Sequence, residues 1–162
     1  MNRLFRFCMI ALLFGLATAH AESPNDADAL NGVKTGKVVF DMNTADAEKT
    51  ALYLMVIRET VNDFVRQGVK PDVILAFRGP SVKLISKDRE KFDPADLENL
   101  DKIAAQLVDL QNQGVRMESC SVATRMLEVD NDQLLDGIKP VGNTFVSLAG
   151  YQAQGYAIIP IY

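Results

Sequence analysis

The sequence is poor in the side chains that most often carry chemistry. It has two cysteines, Cys8 and Cys120, one histidine, His20, and no tryptophan. A single histidine cannot build a polyhistidine metal centre, and no acidic loop has the ligand spacing of a calcium hand. The GxxxxGK[ST] phosphate loop and the GxGxxG dinucleotide fingerprint are both missing. No basic stripe is present: 17 basic residues face 21 acidic ones, for a formal charge of −4, which argues against nucleic-acid binding. Long apolar runs are missing as well. The longest, Phe7 to Leu16, is about half of the roughly 20 residues that a bilayer crossing requires.

That short run has the form of a secretory signal. Arg3 and Arg6 supply positive charge, the apolar stretch follows, and Ala19 and Ala21 place small residues where a signal peptidase reads them. Residues 1–21 are therefore expected to be a signal peptide, with the periplasm as destination and no membrane attachment after cleavage. Cleavage would remove His20 and Cys8, leaving Cys120 as the sole cysteine. His-based general-base catalysis, Cys–His pairs and an intrachain disulfide would then all be excluded. It would also remove two of the basic residues and none of the acidic ones, so the formal charge would go from −4 to −6. The remaining 141 residues suit one domain with a hydrophobic core. No metal site and no cofactor are expected.

Residues 22–36 are small and polar and read as a flexible leader. From residue 37 to 162, short apolar runs alternate with amphipathic stretches. Lys37 to Asp41 reads as a strand, followed by a helix capped at Thr44 with Leu54, Ile57, Val61, Phe64 and Val65 on one face. Asp72 to Phe77 is apolar enough to be a strand covered on both sides. Asp93 and Pro94 open a helix whose buried stripe is Leu97, Leu100, Ile103, Ala104, Leu107 and Leu110. Val115 to Cys120 is a strand with one polar face, and Ser121 to Leu127 a short helix. Ile138 to Val141, a helix from Gly142 to Gln154, and the strand Tyr156 to Ile161 complete the chain. Pro160 places the last strand at an edge or end. This alternation predicts a three-layer α/β/α sandwich with a mainly parallel sheet of about five strands. Strand order in space is left open.

Ligands of parallel α/β sheets bind beyond the carboxyl ends of the strands. That rule selects Asn43 after the first strand, Arg78, Gly79 and Ser81 after the second, and Cys120 with Ser121 after the third. Arg78, Gly79 and the following helix could form an anion-binding turn, or an ordinary strand-to-helix turn. Cys120 would sit at a helix N-terminus, where the dipole and free N–H groups favour a thiolate. Arg125 could add positive charge, and Glu118, two residues back, would oppose it. Two readings of Cys120 stand: a reactive thiol, or a small buried hydrophobe. Phe145, Tyr151 and Tyr156 fit a core or subunit interface better than a pocket.

Four stretches together carry a family resemblance: LAFRGPSVKL (75–84), GVRMESCSVATR (114–125), LLDGIKPVGNTF (134–145) and SLAGYQAQGYAIIPI (147–161). In these the chain resembles the DsrE/DsrF-like family of small sulfur-relay proteins. The resemblance implies a βα sandwich that associates into homo-oligomers, with a persulfide carried on the cysteine at the position of Cys120. It implies a small sulfur compound or a thiol as partner. The export signal sets this chain apart from the cytoplasmic relays and argues against a tRNA-thiolation role. A non-catalytic oligomeric binding or structural module with a buried cysteine is the alternative. A redox sensor that dimerises through Cys120 is a third reading.

The expected location and assembly are checked together on protein exported from cells that express the chain from Met1. Its N-terminal sequence should begin at Glu22, and light scattering should report a particle larger than one chain. A chain that begins at Met1, or a monomer throughout the micromolar range, would contradict the respective expectation.

Overall fold

The computed structural model describes residues 24–162, so the expected signal segment lies outside the described residues. Five strands, β1 (Thr35–Met42), β2 (Lys70–Phe77), β3 (Arg116–Cys120), β4 (Ile138–Val141) and β5 (Ala157–Ile161), form one sheet in the order β4-β3-β2-β1-β5. Every pairing is parallel. The helices are α1 (Ala47–Arg66), α2 (Ser81–Leu84), α3 (Leu97–Asn112), α4 (Ser121–Met126) and α5 (Thr144–Ala153). The predicted three-layer α/β/α sandwich is thus what the chain forms.

Period-two alternation in the strands divides the core. Val38, Phe40 and Met42 of β1, with Val73, Leu75 and Phe77 of β2, pack against α1 and α3. Val39, Ile74 and Ala76 point the other way, under Leu148 of α5 and Tyr156. From Val73 to Phe77, β2 is almost wholly buried, as expected of a strand covered on both faces. Residues before β1 run beside the end of α1, where Arg66 Nη2 donates to Pro24 O (3.2 Å) and Gln67 Nε2 to Asp26 Oδ2 (3.0 Å).

Several local details differ from the sequence reading. Asp46, not Thr44, caps α1: its carboxylate accepts from Lys49 N–H at 2.9 Å. The helix begins at Ala47, so the orphan N–H of its third residue lies within reach of Asp46. Thr44 instead accepts from Asp46 N–H (3.2 Å). Leu54, Ile57 and Val61 are buried, but Val65 is 62% exposed, having rotated off the inner face in the last turn. On α3, Leu100, Ile103, Leu107 and Leu110 are buried and Leu97 lies at the rim. Pro160 lies in β5, an edge strand, and Pro140 in β4, the other edge.

The ends of α1, α3 and α5 pass into Gly68, Gly114 and Gly155, all with positive φ. The end of α4 makes the same turn without a glycine. Glu128 sits there at φ 56°, and Val129 N–H reaches back to Thr124 O at 2.9 Å. A left-handed conformation costs an L-residue about 1–2 kcal/mol, part of which is offset by the lower chain entropy of a non-glycine residue. Glu128→Gly should therefore raise stability by roughly 0.5–1 kcal/mol, read as a higher urea midpoint at unchanged slope. A lower midpoint would show that the Glu128 side chain is itself stabilising.

Candidate functional site around Cys120

The sheet presents all its carboxyl ends along one border, and β3 and β4 are neighbours there, with Cys120 opposite Val141. The chain turns from β3 directly into α4 and from β4, after Gly142 and Asn143, into α5. Two helix N-termini therefore meet at one sulfur. Cys120 is the N-cap residue of α4 and only 5% exposed. Its Sγ accepts from Thr144 N–H, the first residue of α5, at 3.5 Å. Asn143 caps α5 by accepting from Phe145 N–H (3.0 Å), which holds that first turn in place.

These contacts act on the thiol in opposite directions. Burial pushes its pKa up. The Thr144 hydroxyl and backbone N–H, followed by the N–H groups of Ala123 and Val122, favour the thiolate and outweigh burial, so the pKa lies below its ordinary value. Thr144 is fully buried, and its Oγ1 has no hydrogen-bond partner among the described residues. Glu118 is engaged by another group: its Oε1 accepts from the Tyr151 hydroxyl. Burial and that carboxylate push the Tyr151 phenol up to about 12.

Over the sulfur lies an open cavity of about 360 Å³, walled by Pro80, Val122, Met126, Leu127 and Phe145. Its size suits a small molecule. A groove of about 370 Å³ lined by Lys83, Asp88, Lys91, Glu128 and Asp130 is as large, but it carries charges of both signs and no thiol. Among the described residues no three His, Cys, Asp or Glu side chains converge as a metal site.

Of the residues selected from sequence, Cys120, Arg78 and Gly79 line this one cavity. Arg78 is engaged elsewhere. Its Nε and Nη2 donate to the two carboxylate oxygens of buried Asp41 at 2.6 and 2.8 Å, and the guanidinium lies 5.3 Å from the Phe145 ring. The Asp41 hydrogen bond raises the Arg78 pKa further. Asn43 supports the same turn, with its amide oxygen toward Arg78 Nη1 (3.2 Å) and its amide nitrogen toward Arg78 O (3.3 Å). Gly79 has φ 52°, and a Cβ there would come within 2.2 Å of the Asn43 amide. Ser81 is fully buried beneath the turn, its hydroxyl 2.7 Å from Met42 O. Ser121 accepts from Asn131 Nδ2 (3.3 Å), and Arg125 is exposed; neither lines the cavity.

Asn143, Thr144 and the apolar wall were not selected from the sequence. Asn-Thr directly after a strand is a helix-start signal, but nothing in the chain order places β4 beside β3. Phe145, expected in a core or interface, is 65% exposed at the cavity mouth. Tyr151 and Tyr156 pack edge to face at 5.2 Å on the opposite sheet face, beside Arg116 and Asp72.

A model of the DsrE/DsrF-like family matches residues 37–161, the whole of this sheet and its helices. The chain belongs to the DsrE/DsrF-like family. An uncharacterised Aquifex aeolicus protein is 22% identical to this family member over 125 residues. The match covers 76% of this chain and 55% of that protein, so the chain spans about half the length of this relative. Among solved structures, MTH1491 of Methanobacterium thermoautotrophicum, a protein of unknown function, superposes with a TM-score of 0.61 at 23% identity, covering 76% of this chain and 96% of its own. The ychN protein of E. coli does so with a TM-score of 0.54 at 17% identity, over 78% and 99% of the two chains. At such identities the likeness is one of fold.

The Asp41–Arg78 pair fixes one wall of the DsrE-like cavity. Asp41→Asn would leave a mostly buried guanidinium without its counter-charge, at a cost of roughly 3 kcal/mol. Urea denaturation should show that loss. A change below about 0.5 kcal/mol would mean that the pair contributes little.

Proposed function

We propose that this DsrE/DsrF-like protein is an exported, oligomeric carrier that holds sulfane sulfur as a persulfide on Cys120. The observation that carries the reading is the set of donors around Sγ. The N–H groups at the starts of α4 and α5, and the Thr144 hydroxyl, favour the thiolate over the thiol. The nucleophile faces an open cavity of about 360 Å³. Residues 24–162 contain no histidine, so no imidazole is there to act as base. The standing population of thiolate, set by those donors, does the work that a base does elsewhere.

In the transfer step the Cys120 thiolate attacks the outer sulfur of a donor R–S–SH. A Cys120 Sγ–S bond forms, the donor S–S bond breaks, and its electron pair leaves on R–S⁻. Cys120 becomes Cys–S–SH, with no outside oxidant or reductant. Discharge is the same exchange with an acceptor thiolate attacking the terminal sulfur.

The alternative, a binding module in which Cys120 is a core residue, is favoured by its 5% exposure and its place in the main apolar cluster. Alkylation of the folded protein over a pH series separates the two, with Cys120→Ser as blank. A carrier should show a rate midpoint below the roughly 8.5 of a free cysteine, and Thr144→Val should move that midpoint upward. Because the folded pKa is the lower one, this group should stabilise the fold above the unfolded pKa, and that contribution should fade as pH falls through the folded value. Alkylation that proceeds only after unfolding would leave the binding module as the reading.

A further inference from the structure

We infer that the Cys120 cavity selects donors whose sulfane sulfur is borne on an uncharged, apolar organic group, and rejects donors that carry an anionic group. This rests on the carrier reading and names its substrate class.

The walls are the first argument. Pro80, Val122, Met126, Leu127 and Phe145 surround the approach to Sγ, and Met126 and Phe145 extend the apolar surface to the mouth, at 74% and 65% exposure. The second is the state of the only charge in the lining. Arg78 is the sole charged residue there, and its Nε and Nη2 are both bonded to Asp41 while Nη1 faces the Asn43 amide. The pair is neutral as a unit, so it offers an incoming anion little attraction. The third is Thr144, fully buried, lining the cavity, with a hydroxyl that has no hydrogen-bond partner. The backbone N–H of Thr144 gives the reacting sulfur a neutral donor and brings no positive charge with it. A donor with a carboxylate or sulfonate would have to shed water against apolar walls and approach a thiolate in a lining whose one cation, Arg78, is already paired with Asp41. A donor with an aromatic or aliphatic group gains apolar burial on the same surface.

The reacting form is the protonated persulfide R–S–SH, and the bonds made and broken are those of the transfer step above. The released R–S⁻ takes its proton from solvent once it leaves the cavity. Selection acts through R, the part of the donor that rests against the walls.

The test uses two donors of nearly equal size, benzyl persulfide and 4-carboxybenzyl persulfide, generated in situ. Loading of the folded chain is followed by intact mass as a gain of about 32 Da, one sulfur atom. Each rate is divided by that of the same donor with a cysteine-containing peptide, which removes intrinsic reactivity. The uncharged donor should load at least about tenfold faster, and Met126→Lys, which places a cation at the exposed mouth, should narrow the ratio. Equal rates, or faster loading from the carboxylate donor, would overturn the apolar class and leave the carrier intact. Failure of both donors to load Cys120 would overturn the carrier reading and this inference with it.

Discussion

Parallel pairing of β4 with β3 is the constraint on which the site depends. It sets Cys120 opposite Val141 and therefore sends two successive strand-to-helix turns out of the same border of the sheet. Each turn exposes the unpaired N–H groups of a helix start, and the two sets face one sulfur atom. α4 alone is six residues long and would offer only a weak dipole. With Thr144 of α5 added, the sulfur receives donors from a second, longer helix. An antiparallel β4 would direct the start of α5 to the opposite border.

The rest of the cavity is held by polar groups that are bonded to one another or to backbone. Asp41, Arg78, Asn43 and Ser81 satisfy one another or the ends of β1 and β2. Their mutual satisfaction leaves the Gly79–Pro80 wall as an apolar surface and keeps charge off the path to Cys120. The environment of the sulfur is thus polar through neutral N–H and O–H donors and apolar everywhere else. A nearly neutral surround lets modest donors at more than 3 Å move the thiol balance despite a burial that opposes them.

Much of the architecture was legible in the chain. Apolar continuity from Val73 to Phe77 marked a doubly covered strand, and alternation of strands with glycine-terminated helices marked a parallel sandwich. Cys120 was legible as a strand-end residue at a helix start. What escaped were facts set by tertiary pairing. Nothing local to Asn143 or Thr144 says which strand lies beside β4, so the second helix start was missed. An anion-binding role for Arg78 stood open beside an ordinary turn because its partner, Asp41, lies 37 positions away and is joined to it only by the pairing of β1 with β2. Val65 and Leu97 fit their helical stripes by spacing, but each falls on an end turn, where the neighbouring element no longer covers the face. Glu128 carried no local sign of its left-handed backbone, since glycine is what usually marks that turn.

Both borders of the sheet parallel to its strands carry a proline, Pro140 in β4 and Pro160 in β5. A prolyl residue has no N–H, so neither outer strand can present an unbroken row of donors to a foreign strand. The two edge strands are also short, with four and five residues. Growth of the sheet by lateral addition is disfavoured on each side, which guards the folded chain against the ribbon-like stacking that open parallel sheets invite. Contacts with other molecules are thereby steered to the faces and to the carboxyl border, where side chains rather than backbone set the terms of recognition.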